Sequence, residues 1–278
     1  MMNTLLFATD LSVENRAAFG RALRLALAAD AQLDILHVID PYLPRRVLPS
    51  IEAAVAEDIA TRMTDLREDY ALEAPRTRVQ TATGSPYVEI VREAFEHQAA
   101  LVVLGMHRKR GQPAFLEGTT ALRVATDAPC PVVIASALPV RAWEEILIPV
   151  DASVSVTNVL GEVLARFPAA RITLLHAWAL PGEAELGSDP HYAKWREGEV
   201  ARLQAALDAQ VAELDVVTEQ AVEVVLEQGD PVEVVGTYVK RHLPDLVLLS
   251  GHALPRAART LSRALLSEPH TDLMVHRL

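Results

Sequence analysis

Residues that can bind a phosphate group gather in one segment of the sequence, GMHRKRGQPAFLEGTT, which begins at Gly105. Gly105 follows an apolar run and leaves the backbone open to close approach by a ligand. Gly118 begins a helical pattern, and free N–H groups at the start of a helix attract phosphate. Thr119 and Thr120 add hydroxyl groups there, and the basic run that starts at Arg108 can fold over the same anion. The segment therefore predicts a site for one small phosphorylated ligand.

A carboxylate stands at the end of another apolar run. Asp10 follows the strand pattern of residues 4–9, and a carboxylate can accept hydrogen bonds from the hydroxyl groups of a ribose. Together with the phosphate-binding segment, it matches the parts of a nucleoside polyphosphate. Asp10 and Ser12 do not predict a hydrolase pair, because no third residue is placed to orient a base. The sequence has no G-x-x-x-x-G-K-[ST] loop either, which argues against P-loop NTPase chemistry.

The strands and helices that must position these residues follow from the hydrophobic pattern. Helical patterns separate five short apolar runs, at 4–9, 32–39, 76–82, 100–104 and 132–136. This alternation predicts an α/β domain with a parallel, doubly wound sheet and right-handed crossovers. In the strand order 3-2-1-4-5, the ligand crevice lies beyond the carboxyl ends of the first and fourth strands. Asp10 and Gly105 would meet at that crevice.

The same pattern occurs twice along the chain. TLLFATDLS at 4–12 returns as EILIPVDAS 141 residues later, and LVVLGMH at 101–107 returns as LVLLSGH 145 residues later. Two further matches fall between them in the same order, at offsets of 139 and 145 residues. The sequence therefore predicts two tandem domains of five strands each, at 1–138 and 143–278, rather than one continuous domain of ten strands.

Composition narrows the classes of function. The net charge of −11 repels the phosphate backbone of nucleic acids, and the basic run at 108–110 is too short for a duplex footprint. A solvated loop is the plain alternative for that run. No apolar run is as long as the ~18 residues of a membrane span, and the first residues lack a secretory signal, so we expect a cytoplasmic protein. The single Cys130 excludes a disulfide framework and a Cys-rich zinc site.

These motifs resemble the universal stress protein family over almost the full length of the chain. Nucleotide-binding members carry Gly-x2-Gly-x9-Gly-(Ser/Thr). Here Gly105 is followed after two residues by Arg108, and after nine more by Gly118 and Thr119. The spacing is intact, and arginine replaces the second glycine. The family has further marks in this chain. They are the opening ATDLS, the pair His37 and Val38 near the end of the second apolar run, the Gly-x-Pro at Gly84 to Pro86, and APCPVVI at 128–134.

The resemblance implies a non-catalytic regulator of the stress response that binds an adenine nucleotide (ATP, ADP or AMP) in the first domain, and Mg²⁺ can accompany that nucleotide. It implies that Asp10 contacts adenosine, that Val38 binds adenine through its backbone, and that Gly105 and His107 flank the phosphates. The residues implied to hold the phosphates further along are Gly118, Thr119 and Thr120. It also implies that the last strands of the two halves pair as an internal pseudo-dimer. Whole chains can pair as a homodimer as well.

Arg108 leaves two outcomes open. If the family's second glycine has a positive φ, an arginine there costs about 1–2 kcal/mol, and its side chain could fill the space of the triphosphate. Alternatively, Arg108 pairs with a phosphate and compensates for that cost.

The second domain keeps Asp151, but Ser250 replaces the first glycine and Arg259 falls where Gly118 would be. We therefore expect it to be a structural partner domain. His37 and His176 stand at equivalent strand ends, where we expect them to maintain the fold. Two other functions stay open for the whole chain: a nucleotide-free protein-interaction module and a weak ATPase.

Overall fold

The computed structural model describes residues 4–106, 120–138, 141–214, 222–253, 257–267 and 271–276. Its strands are β1 (Thr4–Thr9), β2 (Gln32–Ile39), β3 (Thr77–Thr83), β4 (Leu101–Gly105), β5 (Val132–Ala135), β6 (Glu145–Val150), β7 (Arg171–Trp178), β8 (Val222–Gln228), β9 (Leu246–Ser250) and β10 (Asp272–His276). The α-helices are α1 (Arg16–Ala28), α2 (Leu48–Tyr70), α3 (Pro86–Glu96), α4 (Thr120–Asp127), α5 (Thr157–Arg166), α6 (Glu183–Leu186), α7 (Pro190–Ala212), α8 (Pro231–His242) and α9 (Ala258–Ser267). Short 3₁₀ helices cover Val13–Asn15 and Arg45–Val47.

The chain divides into two compact units. Unit 1 comprises Met1–Ala142 and Asp272–Arg277, and unit 2 comprises Trp143–Thr271 with Leu278. The expected α/β class with a mostly parallel sheet is confirmed. The final strand of the chain is therefore part of unit 1, although its sequence ends the second repeat.

In unit 1 the strands lie in the order β3-β2-β1-β4-β5-β10. The first five of these are parallel, and β10 runs antiparallel to β5 with Met274 opposite Val133. Both faces of β1 are buried, which is why it reads as an unbroken apolar run. Phe7 of β1 stacks on Phe19 of α1 with ring centroids 4.9 Å apart, so the helix that follows Asp10 is packed directly on the central strand.

In unit 2 the strands lie in the order β9-β6-β7-β8, all parallel. The packing of β6 repeats that of β1, since its apolar residues are buried. None of the helices within the described residues combines the length and the apolar character needed to cross a membrane.

The helix starts differ between the two units at one matched position. Ser85 precedes α3 with extended backbone, and Pro86 opens the helix, but the Ser85 side chain makes no capping hydrogen bond. Its counterpart Asp230 precedes α8, and its carboxylate accepts hydrogen bonds from the backbone N–H groups of Val232 and Glu233. The residue before the proline thus caps its helix through a side chain in unit 2, at Asp230, and not in unit 1, at Ser85.

Candidate functional site

Asp10 is exposed at the carboxyl end of β1, in a turn that fixes its carboxylate. Leu11 adopts the left-handed conformation with φ of 61°, and its N–H donates to Thr9 Oγ1 at 3.0 Å. The N–H of Ser12 donates to Asp10 Oδ1 at 3.0 Å, and the side-chain amide of Asn15 donates to the same oxygen. The orientation of Asp10 is therefore set by protein donors.

His37 ties the end of β1 to β2. Its Nδ1 lies 2.9 Å from the carbonyl oxygen of Thr9, and because a carbonyl oxygen only accepts, Nδ1 carries the proton. Thr9 directly precedes Asp10, so this contact holds the backbone from which the carboxylate projects. The geometry supports the expectation that His37 maintains the fold.

Val38 lies beside the crevice edge. Along β2, pairing with β1 ends at Thr9 and His37, whereas pairing with β3 continues to Ile39. Val38 is therefore one residue beyond the last β1 partner, and its side chain is half-buried. This is a position from which a strand backbone can meet a ligand.

Gly105 ends β4, next to β1, whose last partner on β4 is Leu104. Its φ is not positive, since the positive-φ glycines among the described residues are Gly182 and Gly229. What Gly105 provides is space. A Cβ built on it would lie 2.7 Å from Asn15 Cγ, closer still to Asn15 Oδ1, and 3.4 Å from Ala18 Cβ. The Asn15 side chain thus touches both Asp10 and Gly105.

The remaining predicted site residues are only partly covered by the structure. Thr120 is exposed and is the first residue of α4. The others lie outside the described residues: His107, Arg108, Gly118 and Thr119. Of the predicted set, the structure brings Asp10 and Gly105 together through Asn15 and places Val38 at the neighbouring strand end.

Two contacts hold α4, and with it Thr120, against α3. The Tyr87 hydroxyl donates to Asp127 at the end of α4, and the Arg123 guanidinium lies 3.8 Å from the centre of the Tyr87 ring. The hydrogen bond to the Asp127 carboxylate raises the pKa of Tyr87 above its usual value. These contacts therefore join α3 to the middle and the end of α4.

Unit 2 repeats the scaffold of this site. The N–H of Ser153 donates to Asp151 Oδ1 at 2.9 Å, as Ser12 does to Asp10. His176 Nδ1 lies 3.0 Å from the carbonyl oxygen of Val150, as His37 does from that of Thr9. These two hydrogen bonds are therefore common to both halves, although Ala152 lacks the positive φ of its counterpart Leu11.

The crevice itself differs in unit 2. Ser250 at the end of β9 is completely buried, and its Oγ accepts from the N–H of His252 at 3.2 Å. The backbone N–H of Asp151 donates to the carbonyl oxygen of Ala253 at 2.7 Å. Ala253 corresponds to Arg108 in the first half. The loop after β9 therefore lies against the end of β6, where a ligand of unit 2 would enter.

Asn15 is the functional candidate that sequence reasoning missed. It lies in a helical pattern, where a single asparagine carries no special signal. The internal repeat holds the clue, because Val156 stands at the corresponding position in the second half. Within the part of the chain that the structure describes, no group of three or more His, Cys, Asp or Glu side chains could hold a metal ion.

Comparison with known proteins gives a family and a fold. The model of the "Universal stress protein family" matches residues 1–136 and again 142–276. Universal stress protein YxiE of Bacillus subtilis is 27% identical over 146 residues, which is 48% of this chain and 99% of that protein.

Among the solved structures that match nearly the whole chain are the following two. One is a universal stress protein from Archaeoglobus fulgidus, with a TM-score of 0.65 at 17% identity, covering 100% of this chain and 97% of that one. The other is a "Putative Universal Stress Protein" from Pseudomonas aeruginosa, with a TM-score of 0.69 at 17% identity, covering 99% of this chain and 93% of that one. At this level of identity the likeness shows the fold alone.

Proposed function

The chain belongs to the universal stress protein family, and from this premise we propose that it is a non-catalytic stress-response regulator whose unit 1 binds an adenine nucleotide. The observation that carries the proposal is the turn that holds Asp10, an exposed carboxylate oriented by Ser12 and Asn15 beside Gly105. A carboxylate fixed at the carboxyl end of a central parallel strand is placed to accept from ribose hydroxyls.

The proposal assigns the base and the phosphates to the flanking strand ends. Val38 lies one residue beyond the last β1 partner of β2, so its backbone can pair with adenine. Gly105 would border the phosphates, and Thr120 would contribute the N-terminal end of α4. We extend the site to four residues outside the described part of the chain: His107, Arg108, Gly118 and Thr119.

We propose that unit 2 binds no nucleotide and acts as the structural partner of unit 1. The hydrogen bond from Asp151 N–H to the Ala253 carbonyl supports this, because it places the chain's own backbone at the end of β6. The buried Ser250, in place of a glycine, supports it as well. Each aspartate accepts from the N–H of the serine two residues on, and we propose that only Asp10 meets a ligand.

Mass spectrometry of the supernatant from heat-denatured, freshly purified protein tests the proposal. We expect an adenylate at about one per chain. Calorimetry with ATP, ADP and AMP then gives the affinities of the wild type, of Asp10→Ala and of the matched Asp151→Ala. Asp10→Ala should bind the nucleotide measurably but much more weakly, and Asp151→Ala should keep the wild-type affinity.

Three other outcomes would each decide against part of the proposal. No adenylate in the supernatant together with no binding in calorimetry would favour a nucleotide-free protein-interaction module. Loss of binding in Asp151→Ala alone would move the site to unit 2. Steady release of phosphate from ATP that depends on Asp10 would make the protein a weak ATPase.

A further inference from the structure

We propose that Asn15 is a positioning residue that presents Asp10 to the ribose of the ligand, and that residue 105 is a glycine because Asn15 fills the space of its Cβ. The inference deepens the proposed function and rests on it for the ligand. Its structural part concerns contacts within unit 1 alone and can be tested without any nucleotide.

The orientation of the Asn15 amide follows from chemistry. An ionised carboxylate only accepts hydrogen bonds, so the amide end that faces Asp10 Oδ1 is the NH₂ group. The opposite end, Oδ1, therefore faces Gly105. With the Ser12 N–H on the same carboxylate oxygen, two donors of fixed direction act on Asp10. Rotation of the carboxylate would break both hydrogen bonds.

The oxygen end of the amide is confined as well. Asn15 Oδ1 is buried and has no hydrogen-bond partner within the described residues, and the same holds for Ser12 Oγ. A buried acceptor without a donor is costly, so a purely structural role would favour an apolar side chain at this position. The hydrogen bond to Asp10 is the gain that offsets this cost.

The internal repeat provides the comparison that supports a coupled pair. In unit 2, Val156 stands at the position of Asn15 and Ser250 at the position of Gly105. Both side chains are buried, with exposed fractions of 1% and 0%. In unit 1, where residue 105 has no Cβ, residue 15 is an asparagine whose side chain reaches the aspartate. In unit 2, where Ser250 has a side chain, the position of Asn15 holds Val156, which cannot donate a hydrogen bond.

Ligand discrimination tests the positioning role. A site that hydrogen-bonds a ribose hydroxyl rejects the analogue that lacks it, so the wild type should bind ATP more tightly than 2′-deoxy-ATP or 3′-deoxy-ATP. In Asn15→Ala we expect the affinity for ATP to fall about tenfold and the preference over the deoxy analogue to collapse towards the value of Asp10→Ala. Val156→Ala is the matched control in unit 2 and should leave the preference unchanged.

The outcomes separate the inference from the proposed function. If the wild type binds no adenine nucleotide, the proposed function fails. If the wild type binds and Asp10→Ala abolishes the preference for ribose, but Asn15→Ala retains both affinity and preference, the positioning role of Asn15 is overturned. A loss of affinity with an intact preference overturns it too, since that pattern indicates a structural defect only.

A ligand-free cycle tests the contact between Asn15 and Gly105. In the full chain, Gly105→Ala should lower the hydrogen-exchange protection of unit 1 in the wild-type background. In the Asn15→Ala background most of that loss should vanish, because the clash is removed. Asn15→Val with Gly105→Ser copies the pair of unit 2 and should fold with near-wild-type protection. An equal loss from Gly105→Ala in both backgrounds overturns the steric explanation of the glycine.

Discussion

Arg21 of α1 and Asp272 of β10 form a buried ion pair inside unit 1. Arg21 Nε lies 2.8 Å from Asp272 Oδ2, with side-chain exposures of 5% and 0%. Asp272 Oδ1 also accepts from the backbone N–H groups of Ser136 and Ala137, at 2.9 and 3.0 Å. Arg21 Nη1 in turn donates to the carbonyl oxygen of Arg141 at 2.8 Å. The last strand of the chain is therefore fastened to the first half of the sequence.

Asp272→Ala should destabilise unit 1 strongly. It leaves a guanidinium buried without this carboxylate, and breaking one partner of a buried ion pair costs about 3–5 kcal/mol. The two backbone donors that lose their acceptor add to this loss. Since the whole stability of a domain is about 5–15 kcal/mol, the variant should remove a large part of the folding free energy of unit 1.

The distribution of tryptophan allows the two units to be followed separately. The three tryptophans of the chain, Trp143, Trp178 and Trp195, all belong to unit 2. Their fluorescence during denaturant unfolding reports on unit 2. Hydrogen exchange of peptides from β1, β4 and β5 reports on unit 1. We expect a lower opening free energy in those peptides and a smaller change in the fluorescence transition.

Two further variants check the cause. Replacement of a buried ion pair by apolar side chains is often neutral, so Arg21→Met with Asp272→Leu should recover much of the loss. Arg171→Met breaks the exposed pair with Glu145 and should change the stability little, because water screens exposed ion pairs. Two results would contradict a stabilising role of this ion pair. One is a fall of less than about 1 kcal/mol in the opening free energy of unit 1 in Asp272→Ala, and the other is a double variant no more stable than the single one.

Two other predictions concern helix ends. Asp230→Ala removes the side-chain cap of α8 and should cost about 1 kcal/mol, whereas the matched Ser85→Ala, where no such cap exists, should change denaturant stability little. Tyr87 has a raised pKa because its hydroxyl donates to Asp127. The neutral form is favoured in the folded state, so this contribution is present below the unfolded pKa of about 10 and is lost as the pH rises through the folded value. Ultraviolet titration should give a higher midpoint for Tyr87 than in Asp127→Asn, identified by difference from Tyr87→Phe; equal midpoints would contradict the contact.

The sequence predicts the parallel strands well because such strands are buried on both faces and read as continuous apolar runs. The expected strand at 4–9 coincides with β1, and those at 76–82 and 100–104 are displaced by one residue from β3 and β4. The third strand, β3, is the outermost strand of unit 1. The positions of these strands can thus be predicted from the local sequence alone.

The residue pattern could not provide the ion pair of Asp272, although the family resemblance implied that the last strands of the two halves pair, as β5 and β10 do. Asp272 reads as the start of the second domain's last strand, and nothing local connects it to Arg21. Asn15 could not be predicted for the same reason, because its importance depends on its contacts with Asp10 and Gly105. A glycine before a loop indicated an open backbone, but the φ of Gly105 shows that the missing Cβ matters more than conformational freedom.

The repeat itself separates fold from function. The hydrogen bond from the Ser12 N–H to Asp10 and the histidine that holds the preceding carbonyl both recur, at Asp151 and His176. Features shared by two units that differ at the crevice belong to the fold, so Asp10 alone does not specify a ligand site. The two units differ in Asn15 against Val156 and in Gly105 against Ser250, which decide whether a side chain from this position can donate to the aspartate. We therefore expect a unit to bind a ligand only where these two positions hold asparagine and glycine. In that case alone we expect the aspartate to contact the ligand.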